Sequence, residues 1–140
     1  MNEHEAAWVA GFIDGEGTIA FWNQRSKHPE SNWIIEVAAG NTHTVTIERL
    51  KMLAGCGRVQ VLNKYPHQTL YLWKATSKAA EKFLERIRPY SVTKATQIDL
   101  ALSGVRLRRE APREKKRITK DTHAKLRLIH DAIKAEKVAG

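Results

Sequence analysis

Hydrophobic and polar positions along this chain repeat in two periods, and the switches between them mark the elements. "EHEAAWVAGFID", Glu3 to Asp14, is rich in helix formers and free of proline, which predicts a helix ended by Gly15 and Gly17. "TIAFWNQR", Thr18 to Arg25, then alternates: Ile19 and Phe21 fall on one face, Ala20, Trp22 and Gln24 on the other. The turn residues "SKHPES" lead to a second strand over Asn32 to Ala39. "GNTHT" introduces a helix on which Ile47, Leu50 and Leu53 share a face before Gly55 stops it. The pattern recurs, with "GRVQVLNK" and "TLYLWKA" as a hairpin around "YPHQ". They lead into "SKAAEKFLERIR", where Ser77 is the expected cap, Ala80, Phe83, Leu84 and Ile87 form the apolar stripe, and Pro89 ends the helix. The order αββαββα predicts an α+β fold with helices on one face of an antiparallel sheet and the other face free as a docking surface.

Charge adds a partner class. The 140 residues carry 24 Lys+Arg against 15 Asp+Glu, a formal net charge of +9, so the long-range field favours polyanions. The density rises beyond Ser103: "VRLRREAPREKKRITK" is strongly basic, and after it Asp121 is the expected cap of a closing helix with Leu126, Ile129 and Ile133 on one side. This divides the chain into a core over residues 1–103 and, over 104–140, a basic linker with a C-terminal helix packed on the core. Arg113, Lys115 and Lys116 in that linker are candidate phosphate contacts. Cys56 is the only cysteine, which excludes a disulfide or a Cys-based zinc site within one chain and suggests a buried, inert thiol. His123 and His130 share a face of the last helix, with no carboxylate or Cys cluster beside them to complete a zinc site. No apolar run is long enough to cross a bilayer, and "MNEHEAAW" is too acidic for a signal peptide. A soluble intracellular protein with no membrane partner is expected.

The first helix carries a second pattern. Ala7, Ala10, Gly11 and Asp14 fall at i, i+3, i+4 and i+7, a narrow small-residue face on which two helices can approach closely. If the approaching helix belongs to a second copy, a two-fold axis brings two Glu16 carboxylates together. Such a pair suits a hard divalent cation, which takes oxygen ligands and substrate phosphates, with the Gly15 carbonyl as a further ligand. Metal-assisted phosphodiester hydrolysis is then the chemistry at hand. A helix ended by glycine beside an exposed Glu is also an ordinary C-cap, and the residues alone leave both readings open.

"VAGFIDGEG", Val9 to Gly17, resembles the nine-residue signature of the LAGLIDADG homing endonucleases, with Ala10, Gly11, Ile13, Asp14 and Gly17 identical to the name-giving letters. Val9 and Phe12 are conservative replacements, Gly15 stands for Ala and Glu16 for Asp. "RPYSVTKATQ" resembles the family's Pro-aromatic segment leading to a Lys at the head of a later helix, and the likeness covers roughly residues 5–103. The resemblance implies a DNA-binding saddle made by the antiparallel sheet. A single signature copy implies a homodimer that makes double-strand breaks in pseudo-palindromic DNA, in the service of intron or intein mobility. It implies Mg²⁺ as cofactor, with Mn²⁺ as a substitute and Ca²⁺ binding without supporting cleavage. It makes Glu16 the metal-binding acid, Gly15 the carbonyl ligand, Asp14 the acid that stabilises the paired helix ends, and Lys94 the active-site lysine that polarises water or offsets developing charge. Where some members carry Gln and then Arg four residues on, this chain has Ala39 and His43, so His43 becomes the candidate for ordering water or contacting phosphate. Relatives also include RNA maturases and non-cleaving DNA-binding proteins. An unrelated basic α+β module would leave the small-residue face unexplained. The cell compartment expected is the cytoplasm, an organelle or a nucleoid, according to the host.

Recognition is expected from the free sheet face, whose alternate side chains can reach base edges in the major groove. Trp22 and Gln24 in the first strand, Asn32 and Glu36 in the second, and Arg58 and Gln60 in the third are the outward candidates. Trp33, Leu62 and Leu72 are expected in the core; Tyr71, Trp73 and Ala75 face together, and parity leaves Trp73 open as a further DNA-contact candidate.

Overall fold

A capping box starts the first helix: Asn2 Oδ1 accepts the Glu5 N–H at 2.8 Å and Glu5 Oε1 accepts the Asn2 N–H at 2.9 Å. In this computed structural model, which describes residues 1–24, 32–65 and 68–139, α1 runs Glu3–Glu16, two residues beyond the sequence expectation. Gly15 is helical, and Gly17 alone ends the helix. A Cβ at Gly17 would stand 2.6 Å from the Ile13 carbonyl oxygen, so no side chain fits where the chain turns from helix into strand.

Four strands follow, interleaved with two helices: β1 (Gly17–Asn23), β2 (Trp33–Asn41), α2 (Thr44–Ala54), β3 (Arg58–Tyr65), β4 (Gln68–Thr76) and α3 (Ser77–Ile87). They make one antiparallel sheet in the order β1-β2-β4-β3, with Gly17 opposite Ala39 at one end of the first hairpin and Asn23 opposite Trp33 at the other. The turn "SKHPES" and the tip of the second hairpin, Pro66 and His67, lie outside the described residues. Ser77 is not a cap: Thr76 holds the N-cap position without a side-chain bond, and Ser77 is the first helical residue.

Alternation buries Ile19 and Phe21 from β1 and Trp33, Ile35, Val37 and Ala39 from β2, all facing the helices. On β4 the inward set is Trp73 and Ala75, the reverse of the expected assignment. Trp73 is fully buried and its indole N–H donates to the Cys56 carbonyl at 2.9 Å, so it belongs to the core and not to the docking face. Leu62 and Leu72, expected inside, lie on the open face in register with Leu70 and Gln60. The Cys56 thiol, expected buried, is half-buried, and that burial raises its pKa.

A 3₁₀ turn, Arg88–Tyr90, leads to α4 (Ala95–Glu110), so the boundary expected at residue 103 falls inside a helix. Arg106, Arg108 and Arg109 are helical because the turn that precedes them packs: Ala101 and Gly104 are buried, and a Cβ on Gly104 would come within 2.9 Å of the Phe21 ring. The remaining link to α5 (Lys120–Ala139) is a small hairpin of β5 (Arg113–Glu114) and β6 (Arg117–Ile118), with Lys115 and Lys116 at its turn. Thr119, in place of Asp121, caps α5, its hydroxyl accepting the Thr122 N–H at 3.2 Å; Asp121 pairs with Lys125 at 3.3 Å. Leu126 and Ile133 are buried as expected, and Ile129 packs beside them.

Candidate functional site

The C-terminal end of α1 and the start of α4 are clasped together. Asp14 Oδ2 accepts the Val92 N–H at 2.9 Å and Oδ1 the Lys94 N–H at 3.0 Å, placing a carboxylate at the N-terminal end of α4. In return Lys94 Nζ donates to the Asp14 main-chain oxygen at 2.7 Å, a cation against the C-terminal dipole of α1. The clasp fixes the Lys94 ammonium beside the last turn of α1, two residues from Glu16. Both Asp14 oxygens are engaged within the protomer, so this acid orders the site.

Glu16 differs. It is exposed, and among the described residues no hydrogen bond or ion pair engages its carboxylate. Gly15 beside it has open space where a Cβ would point. A free carboxylate is a hard oxygen donor of the kind Mg²⁺ and Ca²⁺ accept. Among the described residues no three His, Cys, Asp or Glu side chains stand together where they could hold a metal ion.

The small-residue face divides on folding. Ala10, expected at a subunit interface, is fully buried against the protomer's own core. Ala7, Gly11 and Gly15 are exposed, with empty space above both glycines, and Trp8 flanks them, stacked on Phe12 with ring centroids 5.6 Å apart and covered by the Arg49 guanidinium. The exposed strip therefore runs along Ala7, Gly11 and Gly15 and ends at Glu16.

His43 is the N-cap of α2. Its Nδ1 lies 2.7 Å from Thr46 Oγ1 and accepts the Thr46 N–H at 3.3 Å, leaving Nε2 as the ring atom with no partner among the described residues. It stands just past the end of β2, four residues beyond Ala39, which pairs with Gly17.

The open sheet face gathers the other candidates. Trp22 and Asn32 are half-buried, and Gln24, Arg58 and Gln60 are exposed. Glu36 meets Lys74 at 3.6 Å, and Lys74 is also the register partner of Arg58, so Lys74 stands between the Glu36 carboxylate and Arg58 on this face. Lys74 had the strand parity of the face, and only the reversed orientation of β4 hid it from the sequence. At the far end, the Arg113 guanidinium donates to the Arg108 main-chain oxygen at 2.8 Å, while Lys115 and Lys116 take positive φ of 48° and 67° at an exposed turn. His123 and His130 have packing roles: Trp33 Nε1–H donates to His123 Nδ1 at 3.0 Å, and His130 Nδ1 lies 2.8 Å from the Phe21 carbonyl oxygen.

This helix-sheet arrangement is the fold of the LAGLIDADG homing endonucleases. Among solved structures, the homing endonuclease I-CvuI in complex with the I-CreI target superposes with a TM-score of 0.78 at 18% identity, covering 96% of this chain and 85% of that one. The archaeal intron-encoded homing endonuclease I-Vdi141I, complexed with DNA, gives 0.74 at 13% identity over 97% and 86%. I-SmaMI bound to cleaved DNA gives 0.72 at 16% identity, covering 91% of this chain but only 43% of the relative. No protein-family model and no curated protein matches the chain.

Proposed function

We propose that this protein is a site-specific DNA endonuclease of the LAGLIDADG homing type, acting as a homodimer with Mg²⁺ on a pseudo-palindromic site. The observation that carries the reading is a Glu16 carboxylate without a partner among the described residues, two positions beyond Asp14, whose carboxylate and main-chain oxygen hold Lys94. The solved relatives named above hold DNA, and this chain matches less than half the length of I-SmaMI, which is consistent with one protomer supplying half of a site.

Two copies joined along Ala7, Gly11 and Gly15 bring their Glu16 carboxylates to the axis, and these with the Gly15 carbonyls would hold the cations. Bound Mg²⁺ supplies charge neutralisation and an activated water for phosphodiester hydrolysis. The chain's own residues do the rest. Asp14 keeps α1 and α4 in register, Lys94 sets a positive charge where negative charge develops, and His43 Nε2 is available to order water or a phosphate oxygen. Trp22, Gln24, Asn32, Glu36, Arg58 and Gln60 line the face that reads bases, with Lys74 added to the set, and Arg113, Lys115 and Lys116 hold the phosphate backbone at its far end. Cutting at such a site serves the mobility of an encoding intron or intein.

Cleavage of a plasmid library of candidate sites, run with Mg²⁺ and with EDTA, tests the proposal. Double-strand breaks at one sequence, present with Mg²⁺ and absent with EDTA, are expected. Binding to DNA with no cleavage at any site would leave a non-cleaving relative of the fold.

A further inference from the structure

The open sheet face changes character along β4. Pairing in register sets its side chains in rows across the strands: Thr76 stands beside Glu36, Lys74 between Ala38 and Arg58, Leu72 between Gly40 and Gln60, and Leu70 beside Leu62. The first two rows are polar and charged, and the last two form an apolar block. Leu62, Leu70 and Leu72 are all half-buried, and among the described residues none belongs to the side chains packed on the core. A Cβ at Gly40 would meet Leu70 Cδ1 at 3.3 Å and Leu72 Cδ1 at 3.4 Å, so both side chains lean over the bare backbone of β2. The result is one apolar floor that three strands support.

Leucine limits what such a floor can cover. Pressed against guanine, cytosine or adenine in the major groove, it would leave O6, N7 or an exocyclic amine without a hydrogen-bond partner. Thymine alone among the four standard bases presents an apolar group there, its C5 methyl. Size agrees with a short run of such bases. Leu70 and Leu72 are two positions apart on one strand, about 6.7 Å, and base pairs rise by about 3.4 Å each, so the floor spans two or three consecutive pairs. The Lys74 and Arg58 cations in the adjoining row suit the polyanion that carries those bases.

We infer that Leu62, Leu70 and Leu72 are specificity residues that read thymine methyl groups, so that each half-site carries two or three consecutive A·T pairs where this floor docks. The inference rests on the reading above for duplex DNA as the ligand, and it adds which bases one part of the face demands. Polar neighbours such as Gln60 and Arg58 read base edges by hydrogen bonds, and the leucines read shape and the methyl. Leu62 and Leu72 have the sequence pattern of core residues, and only the orientation of β4 turns them toward DNA.

The test uses the full-length protein and a site selected from a randomised duplex library by binding in Ca²⁺. Each thymine of that site is replaced in turn by deoxyuridine, which keeps every hydrogen-bonding group and lacks only the methyl. Loss of one buried methyl should weaken binding about fourfold, at two or three adjacent pairs of each half-site. Leu70→Ala and Leu72→Ala should each bind thymine and deoxyuridine alike at one of these pairs. Leu128→Ala, at an exposed leucine of α5, should keep the wild-type profile. A selected site without adjacent A·T pairs, deoxyuridine that binds as well as thymine throughout, or a difference that survives in both leucine variants overturns the inference. Any of these results, with wild type still cutting in Mg²⁺, leaves the endonuclease reading standing. If wild type binds its selected site but never cuts it, the endonuclease reading falls and the deoxyuridine scan still decides for or against the leucines. Selection of no sequence at all overturns both.

Discussion

The two ends of β1 are built on opposite principles. At the far end, the Trp33 indole and the His123 and His130 rings are matched within the chain. Trp33 is 1% exposed, stacks on Phe21 with centroids 5.4 Å apart, bonds His123 through its indole N–H, and lies under the Arg127 guanidinium. At the near end, where α1 runs into Gly17, a carboxylate has no partner among the described residues and two glycines face open space. The far end holds α5 on the sheet through Trp33. In the proposed dimer, the near end leaves groups for a second copy and a cation to satisfy. Substitutions should separate accordingly, with near-end changes removing activity from a folded protein and far-end changes costing stability.

Glu16→Gln should have the largest effect on activity, taking double-strand cleavage below detection while the unfolding midpoint stays within error, because no protein group depends on that carboxylate. Lys94→Met should slow cleavage by on the order of 10²-fold. It also removes one bond to the α1 C-terminus, so chemical denaturation should show a loss of about 1 kcal/mol beside the kinetic effect.

Trp33→Ala reverses the pattern. Removing a buried indole costs about 3–5 kcal/mol in urea unfolding. The protein that remains folded at low temperature should still cut. His123→Ala leaves the buried Trp33 N–H without its acceptor and should cost about 1–3 kcal/mol by the same measurement. Equal loss of cleavage and stability in either variant would erase the contrast between the ends.

Gly11→Leu sharpens the comparison in the protomer itself. The open space above Gly11 means that a single chain accommodates the side chain, whereas two α1 helices in close contact do not. Sedimentation should show monomers with native circular dichroism. Neutralising Arg113, Lys115, Lys116 and Arg117 has the smallest expected effect: binding to all DNAs weakens alike, and the salt slope falls by up to about 0.9 per lost phosphate contact.

Much of this was legible in the chain. Ile19 and Phe21 alternate against polar neighbours, and Ala80, Phe83, Leu84 and Ile87 recur at helical spacing, so those elements and their inner faces follow from pattern alone. β4 was not settled this way. Leu70 and Leu72, with Lys74, alternate with Tyr71, Trp73 and Ala75; both sets carry large apolar side chains, so their apolar content does not say which group faces in. The arginines of α4 hid a helix for a related reason: their density suggested a solvated link, while Ala101 and Gly104, small enough to lie against Phe21, carried the packing. The site itself joins Asp14 to Lys94 across 80 positions. No local periodicity reports such a contact; the nine-residue motif did, through resemblance.

The most direct test of the central claim, that paired Glu16 carboxylates make the chemistry of an otherwise complete DNA-binding dimer, is cleavage by purified Glu16→Gln at the wild-type site in Mg²⁺, alongside its binding in Ca²⁺. The account predicts near wild-type specific binding and no double-strand break. A folded Glu16→Gln dimer that still breaks both strands at that site would contradict it and move the active site away from the end of α1.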